Sequence, residues 1–218
     1  MFEQRLTNNS KNILGLLKDL TPPNSYLGGG TALSLWINHR DSYDLDIYSP
    51  TEFDTDTMGD KFAKSFPEFE LMSKSWQTIH GKSLDTNISL FFYEYKLLEE
   101  TTDFLGFKIA SLKDIAAMKL EAIAGRGLKR DFYDVYKIAK TQKWQLKDII
   151  KMNDEKYDRY GSFTPHILRS MVYFDDAEKF SERSEDVEKE WENVKKFFIQ
   201  EVEMLSENRL KDIQGSYN

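Results

Sequence analysis

The sequence contains no cysteine and only three histidines among its 218 residues. The lack of cysteine excludes disulfide bonds, thiolate metal sites and thiol nucleophiles, and it fits a protein from a reducing compartment. The histidines, His39, His80 and His166, are scattered without the spacing of a metal-binding motif. We therefore interpret His39, the one nearest the motifs described below, as a structural residue rather than a metal ligand.

Long hydrophobic runs are also missing. The chain has no stretch of about eighteen apolar residues, and its first residues, Met-Phe-Glu-Gln-Arg, lack the basic segment and apolar core of a signal peptide. We therefore expect a cytoplasmic protein that does not interact with a membrane. The formal net charge of −7 argues against nonspecific coating of nucleic acid, because phosphate-backbone binding needs concentrated lysine and arginine, although it leaves room for a local basic patch.

Hydrophobic residues make up 40% and aromatic residues 14% of the chain, which is enough for a sizeable core. The apolar patterns of the first half predict alternating helices and strands, followed by two β-rich runs that a turn at His80-Gly81-Lys82 separates. The predicted elements are a helix over 3–20, a strand over 25–27, a helix over 31–37, a strand over 43–48, a helix over 57–65 and β-rich runs over 69–79 and 87–95. This order indicates a mixed sheet with helices packed on it.

The second half of the chain changes to helix. Ser111 and Asp114 have the spacing of a capping box, with Asp in place of the usual Glu, and the residues that follow predict a helix ending at Gly125. Further helical patterns follow it. We therefore predict an α+β protein with a mixed-sheet core over 1–105 and a C-terminal helical bundle over 106–218.

Three glycines stand at a predicted helix start. Gly28, Gly29 and Gly30 follow a short strand and precede the helix that begins near Thr31. Phosphate can approach backbone N–H groups only where no Cβ intervenes, and a helix N-terminus adds the favourable end of its dipole. The segment therefore predicts a phosphate-binding turn.

A pair of aspartates follows that helix. Asp44 and Asp46 lie in a predicted strand, so both carboxylates project from one face, with Cα atoms about 7 Å apart, while Leu45 and Ile47 point into the core. Ser42 has the same parity and could add a hydroxyl group. Two carboxylates on one face attract Mg²⁺. Together with the glycines they predict a site for a metal-bound nucleotide.

Each motif alone has an ordinary interpretation. Glycine-rich turns are mostly simple connections, and Asp-x-Asp is mostly a solvated strand edge. The conjunction is more specific. A hydrophobic residue before two glycines, a helix, and then Asp-hydrophobic-Asp-hydrophobic resembles the signature of the nucleotidyltransferase superfamily that includes DNA polymerase β.

A second segment narrows this resemblance. Residues 108–136 resemble the second conserved region of the AbiEii/AbiGii toxin family of nucleotidyltransferases, and the glycine-to-aspartate stretch resembles that family's opening motif. The resemblance implies a nucleotidyltransferase fold and an enzyme that needs Mg²⁺ or Mn²⁺ and moves a nucleoside monophosphate from an NTP to an acceptor. It also implies an RNA acceptor such as tRNA, a role as the toxin of a toxin–antitoxin or phage-defence system, and a cognate antitoxin protein as a partner.

The resemblance also implies roles for individual residues. Asp44 and Asp46 would be the metal ligands at the catalytic centre, and Lys119 and Asp131 would be the basic and acidic residues of the later motifs. Lys119 could neutralise charge on the transferred phosphate, and Arg126 faces the same side of its helix two turns later. The residues expected to contact the nucleotide are Gly29, Gly30, Thr31, Ser42 and Arg126.

The later residues have ordinary interpretations as well. A lysine near the edge of a helix often extends its amino group to water. Asp131 and Asp134, which share one helix face, could simply pair with Lys129, Arg130 or the helix dipole.

One position departs from the superfamily pattern. Polymerase-like members have a third carboxylate on a later strand, where this chain presents Ser89. A hydroxyl group cannot replace an anion as general base. Asp131 could supply the missing charge, or the metal alone could activate the acceptor hydroxyl, so the sequence leaves the general base open.

Two other functions agree with the same motifs. The domain could hold a nucleotide or a partner protein without turnover, an alternative that the serine at position 89 supports. It could also transfer the nucleotide to a protein acceptor instead of RNA.

Overall fold

One mixed sheet organises the first half of the chain. In the part that the structure describes, the sheet has seven strands in the order β3-β4-β5-β2-β1-β7-β6. They are β1 (Tyr26–Leu27), β2 (Leu45–Ser49), β3 (Phe69–Ser75), β4 (Thr78–Ser83), β5 (Thr86–Phe92), β6 (Thr102–Phe104) and β7 (Phe107–Ile109). β2 runs parallel to β5 and β1 runs parallel to β7, whereas the other neighbours are antiparallel.

The computed structural model describes residues 1–159, 165–179, 182 and 184–215. Two compact units, Met1–Ile115 and Ala116–Asn218, make up the chain. The first contains the sheet, and the second contains helices. Because β7 pairs with β1, the residues just after 105 belong to the sheet unit, whereas the predicted boundary lay at that residue.

Helices flank the sheet in the first unit and make up the second. The first unit has α1 (Asn8–Leu20), α2 (Gly29–Ile37) and α3 (Thr55–Ser65), and α4 (Leu112–Gly125) carries the chain into the second unit. The second unit continues with α5 (Lys129–Gln142), α6 (Leu146–Lys156), α7 (Pro165–Met171), α8 (Asp175–Glu178) and α9 (Glu185–Gly215). The predicted α+β class is confirmed. None of the described helices combines the length and the apolar character that crossing a bilayer requires.

One face of the sheet belongs to the core of the first unit. Alternate residues of the inner strands are fully buried, as expected when side chains alternate between two faces. The buried apolar residues of β2, β4 and β5 are Leu45, Ile47, Ile79, Ile88 and Leu90. Helices α1 and α3 pack on each other, α3 also contacts β3 and β4, and they contribute further buried side chains such as Leu14 and Phe62. The intervening strand residues, which are polar or aromatic, form the opposite face.

The predicted turn at His80-Gly81-Lys82 is wrong. His80 and Gly81 lie in the middle of β4, and the chain reverses instead at Trp76-Gln77, where Gln77 has a φ of 54°. Gly81 is needed for packing rather than for turning, because a Cβ there would overlap the ring of Phe69. A glycine of this kind cannot be told from a turn glycine in a single sequence.

The hairpin of β6 and β7 was not predicted. Phe104 pairs with Phe107, so the loop is the dipeptide Leu105-Gly106, and both residues have positive φ values of 53° and 79°. This two-residue geometry favours Asn-Gly or Asp-Gly. Leucine at the first position conceals the turn in the sequence.

The second unit has an aromatic core between α5 and α9, which pack along each other. Phe132 of α5 lies edge-on to Trp191 and Phe198 of α9, with ring centroids 5.8 Å and 5.1 Å away. Such edge-to-face pairs add to the free energy gained from burial. α5 and α9 each bury one apolar stripe, and this pattern explains why the sequence predicts helices after Ser111.

A buried carboxylate fixes the start of α4. The Asp114 backbone N–H donates to Ser111 Oγ at 3.1 Å, and this hydroxyl donates to Asp114 Oδ2 at 2.7 Å. The same carboxylate accepts from the backbone N–H of Leu98 at 3.0 Å and of Glu99 at 3.4 Å. Through these hydrogen bonds the fully buried carboxylate of Asp114 joins the segment before β6 to the start of α4.

We expect Asp114→Ala to lower the free energy of unfolding by about 3 kcal/mol, because buried donors lose their acceptor. Asp148→Ala is the matched control, since Asp148 caps α6 by accepting from the Gln145 N–H at 2.9 Å but is half-exposed. That change should lower the free energy by only about 1 kcal/mol. Urea denaturation followed by circular dichroism measures both, and equal losses would contradict a special role for Asp114.

Candidate active site

The first part of the site is the start of α2. Gly28 is the N-cap residue, and its backbone N–H donates to the carbonyl oxygen of Asp46 at 2.9 Å, which places the glycine turn beside β2. Gly29 follows with a φ of +66°. A Cβ on Gly29 would overlap Oδ2 of Asp46. The carboxylate of Asp46 therefore lies directly against the backbone of the helix N-terminus.

The second glycine, Gly30, makes room for the guanidinium group of Arg40. A Cβ on Gly30 would lie 2.6 Å from Nη2 of Arg40 and 3.0 Å from Oγ of Ser42. Arg40 is only 6% exposed, and its Nη1 donates to the carbonyl oxygen of Asp41 at 3.0 Å. Sequence reasoning missed this arginine, because a single basic residue in a loop has no periodicity and no spacing that would mark it.

Thr31 holds the loop between α2 and β2. Its buried hydroxyl lies 2.5 Å from the carbonyl oxygen of Asp44 and 3.0 Å from Oγ of Ser42, so it donates to the carbonyl and can accept from the serine. Ser34, one turn later, donates to the carbonyl oxygen of Arg40 at 2.8 Å. The side chain of Thr31 therefore orders the residues that surround the glycines, and its expected nucleotide contact stays a prediction.

Asp44 and Asp46 share one face of the sheet. The strand β2 begins at Leu45, so Asp44 precedes it and is exposed. Oδ1 of Asp44 accepts from Nδ2 of Asn87 at 2.8 Å, and Asp46 lies directly opposite Ser89 in the β2–β5 register. Because Asn87 and Ser89 are two residues apart on β5, their side chains, and hence both carboxylates, project to the same side.

Ser89 occupies the strand position opposite Asp46. Its Oγ lies 3.0 Å from Nδ1 of His80 on β4. The wrong assignment of His80 to a turn hid this contact from sequence reasoning.

The donor atoms suit a hard divalent cation shared with a ligand. Carboxylate oxygens of Asp44 and Asp46 and the hydroxyl of Ser42 are the oxygen donors that Mg²⁺ prefers. Within the described residues, no group of three or more acidic or histidine side chains is placed to hold a metal. The residues therefore fit a metal that takes its other ligands from substrate phosphates and water, rather than one held by the protein alone.

A second group of predicted residues forms a buried ion-pair cluster in the helical unit. Nζ of Lys119 lies 3.0 Å from Oδ1 of Asp131 and 2.7 Å from Oδ2 of Asp134. Arg126 makes a two-point contact with Asp131, with Nε at 2.8 Å and Nη2 at 2.9 Å. Both aspartates are fully buried, whereas the side chain of Arg126 is 54% exposed.

The cluster contains two cations and two anions. Burial alone would raise the pKa of Asp131, but the positive charges of Lys119 and Arg126 outweigh it and lower the pKa below its usual value. Asp131 is therefore held as an anion. Lys119 is buried and does not extend its amino group to water, and Lys129 pairs with Glu188 at 2.9 Å. Asp131 lies in the first turn of α5, so the expected interaction with the helix dipole agrees with the structure.

The predicted site residues thus form two groups. The residues that come together in the sheet unit are Gly29, Gly30, Thr31, Ser42, Asp44 and Asp46. Lys119, Arg126 and Asp131 come together in the helical unit. Their roles in catalysis stay predictions.

A glycine turn begins a helix, and one aspartate just before and one within the next strand of a mixed sheet follow it, an arrangement typical of nucleotidyltransferases. Comparison with known proteins narrows the class. The family model described as "Nucleotidyl transferase AbiEii toxin, Type IV TA system" matches residues 91–213. The chain belongs to this AbiEii family of nucleotidyltransferase toxins from type IV toxin–antitoxin systems, which confirms the predicted family.

One relative resembles the chain in sequence, and two solved structures resemble it in fold. The chain is 38% identical over 199 residues to the uncharacterised protein aq_aa25 of Aquifex aeolicus, which covers 89% of this chain and 92% of the relative. JHP933 of Helicobacter pylori has a similar fold over 100% of both chains, with 16% identity and a TM-score of 0.50. A second H. pylori structure, described as a candidate nucleotidyltransferase, matches 95% of this chain and 98% of its own with 16% identity and a TM-score of 0.52.

We expect Gly29→Ala to lower the free energy of unfolding by at least about 2 kcal/mol, because Ala at positive φ is strained and its Cβ displaces Asp46. Gly15→Ala is the control, since Gly15 lies inside α1 with no neighbouring atom within 4 Å of an added Cβ. Alanine there should be neutral or stabilising by up to about 1 kcal/mol. Equal stability of the two variants in urea denaturation would show that Asp46 does not lie against Gly29.

We expect the stability contributed by Asp131 to depend on pH. Because its pKa is lower in the folded than in the unfolded protein, this stability is present above the ordinary Asp value of about 4 and is lost as the pH falls through the folded value. Asp131→Asn should therefore lose about 3 kcal/mol at pH 7, and the difference from the wild type should shrink on acidification.

The control for this change is Asp176→Asn. Asp176 pairs with Lys179 at 2.6 Å on the surface, where an ion pair contributes at most about 1 kcal/mol. Denaturation curves at several pH values measure both variants. A loss for Asp131→Asn that does not change with pH would contradict the ion-pair explanation.

Proposed function

We propose that this enzyme binds an NTP with Mg²⁺ or Mn²⁺ on the face that carries Asp44 and Asp46, and that it transfers the nucleoside monophosphate to RNA, such as tRNA. The observation that carries this proposal is the contact of Asp46 with Gly29. It puts a carboxylate and a helix N-terminus side by side, and these two groups attract a cation and a phosphate, respectively.

The residues divide the work of binding between them. The backbone N–H groups of Gly29 and Gly30 donate to the phosphate oxygens, and the buried guanidinium of Arg40 beside Gly30 adds a positive charge. Asp44 and Asp46 hold the metal, with Asn87 orienting the carboxylate of Asp44. When bound, the metal would supply charge neutralisation and orientation for in-line attack at the α-phosphate.

The choice of RNA rests on the surroundings of this face and on the family. Lys82 is exposed on β4 and lies opposite Asn87 in the β4–β5 register, so a cation stands on the same side of the sheet as Asp44. Such a lysine suits the phosphate backbone of an acceptor RNA. Membership of a toxin–antitoxin family supports a cognate antitoxin protein as a further partner.

Incubation with each NTP labelled at the α-phosphate, with Mg²⁺ or Mn²⁺ and total tRNA, tests the proposal. We expect the label in RNA and an equal release of pyrophosphate. Label in protein would favour a protein acceptor. NTP binding by calorimetry without pyrophosphate release would favour a binding module and contradict the proposal.

We expect Asp46→Asn to reduce the transfer rate at least about a hundredfold, since it removes a metal ligand that contributes several kcal/mol to the barrier. The control is Asp103→Asn on β6, because Asp103 is exposed and its nearest cation, Lys108, is 3.9 Å away. That variant should transfer at the wild-type rate. If both variants transfer equally well, Asp46 does not hold the metal.

A further inference from the structure

A row of three side chains crosses three neighbouring strands. In the sheet, Asp46 on β2 lies opposite Ser89 on β5, and Ser89 lies opposite His80 on β4. Side chains that lie directly opposite each other on neighbouring strands project to the same face, and the strands are about 4.8 Å apart. The row therefore begins at the proposed metal ligand and ends at an imidazole.

The imidazole in this row is held in place. Nδ1 of His80 lies 3.0 Å from Oγ of Ser89. The ring of His80 also stands edge-on to Phe91, with the ring centroids 5.3 Å apart. Both His80 and Ser89 are half-buried, so the pair is partly shielded yet reachable. These contacts fix the direction in which the ring nitrogen points.

Transfer to a hydroxyl acceptor needs a group that removes a proton. Asp44 and Asp46 are the proposed metal ligands, and protonation would weaken that role. Asp131 is buried between Lys119 and Arg126, which lower its pKa and make it a weak proton acceptor. Among protein side chains, imidazole is the one suited to exchange a proton near neutral pH.

We propose that Ser89 and His80 form a proton relay for the acceptor hydroxyl, an inference that rests on the proposed function. The acceptor oxygen forms a bond to the α-phosphorus while the bond from that phosphorus to the leaving pyrophosphate oxygen breaks. The proton of the acceptor hydroxyl passes to Oγ of Ser89, and the serine proton passes to Nδ1 of His80. The imidazolium then returns the proton to water after pyrophosphate has left.

Several neighbours define the electrostatic surroundings of His80. Ser73 lies opposite it on β3, Ser89 and Phe91 face it from β5, and α3 contacts β4. The charged groups that the described strands place on this face are Asp46 beyond Ser89, Asp44 beside Asn87, Lys82 two residues along β4, and Glu70 opposite Lys82.

The decisive measurement is the pH dependence of transfer by His80→Gln. Glutamine keeps a polar side chain but cannot take the proton, so we expect kcat to fall about a hundredfold and the KM for NTP to stay within about twofold. The acidic limb of the pH–rate profile should disappear. His166→Gln removes an exposed imidazole that contacts the Ala124 carbonyl at 3.2 Å, and it should leave rate and profile unchanged.

Rescue separates proton transfer from a structural role. Ser89→Asp places a carboxylate opposite Asp46. The double variant with His80→Gln should therefore transfer at least about tenfold faster than His80→Gln alone. Rescue by this change is not expected if His80 only supports the fold. Failure of the double variant to exceed His80→Gln, although it binds NTP in calorimetry, would overturn the relay.

A measurement without substrate tests the contact itself. In NMR spectra of the free protein, the Nδ1 resonance of His80 should shift on Ser89→Ala and stay unchanged on Ser73→Ala. An unshifted resonance would overturn the relay.

The two proposals fail in different ways. Absence of transfer by the wild type would overturn the proposed function and the relay with it. Wild-type transfer to RNA, combined with an unchanged rate and pH profile for His80→Gln, would overturn the relay alone.

Discussion

The carboxylate of Asp46 can lie against the start of α2 only because residue 29 has no side chain. This contact puts an anion beside a helix N-terminus that would otherwise attract phosphate. A triphosphate and Asp46 repel each other unless a cation lies between them. In the proposed function, the same close approach that fixes the backbone would make phosphate binding depend on a metal. The hydrogen bond from Gly28 to the Asp46 carbonyl keeps the two elements in register.

The ion pairs of the helical unit obey a different constraint. A buried carboxylate is stable as an anion only with cations close by, and Lys119 and Arg126 supply them to Asp131. Lys119 lies on α4 and Asp131 and Asp134 lie on α5, so the cluster joins two consecutive helices. Arg126 differs from the others, because its exposed side chain can meet a ligand while it neutralises Asp131.

The predictable parts of the molecule were those with local causes. The glycine turn, the helix after it and the paired aspartates follow from neighbouring residues, and so does the switch to helix after Ser111. The family could also be predicted, since its motifs are contiguous in sequence. The positions of Arg40 and His80 could not be predicted, because only the loop fold and the sheet register bring them near Gly30 and Ser89. Gly81 led to a wrong turn prediction for a related reason, since a glycine is needed there only because a side chain would overlap the ring of Phe69.

A serine opposite Asp46 reduces the negative charge of this face. A third carboxylate beside Asp44 and Asp46 would add repulsion whenever the metal is absent, and the metal-free fold would be less stable. With Ser89 in that position, no third carboxylate stands beside Asp44 and Asp46, and in the proposed relay His80 at the end of the row takes the role of the base. If the relay operates, activity does not need a third fixed anion on this face, and the stability of the metal-free sheet does not bear its repulsion.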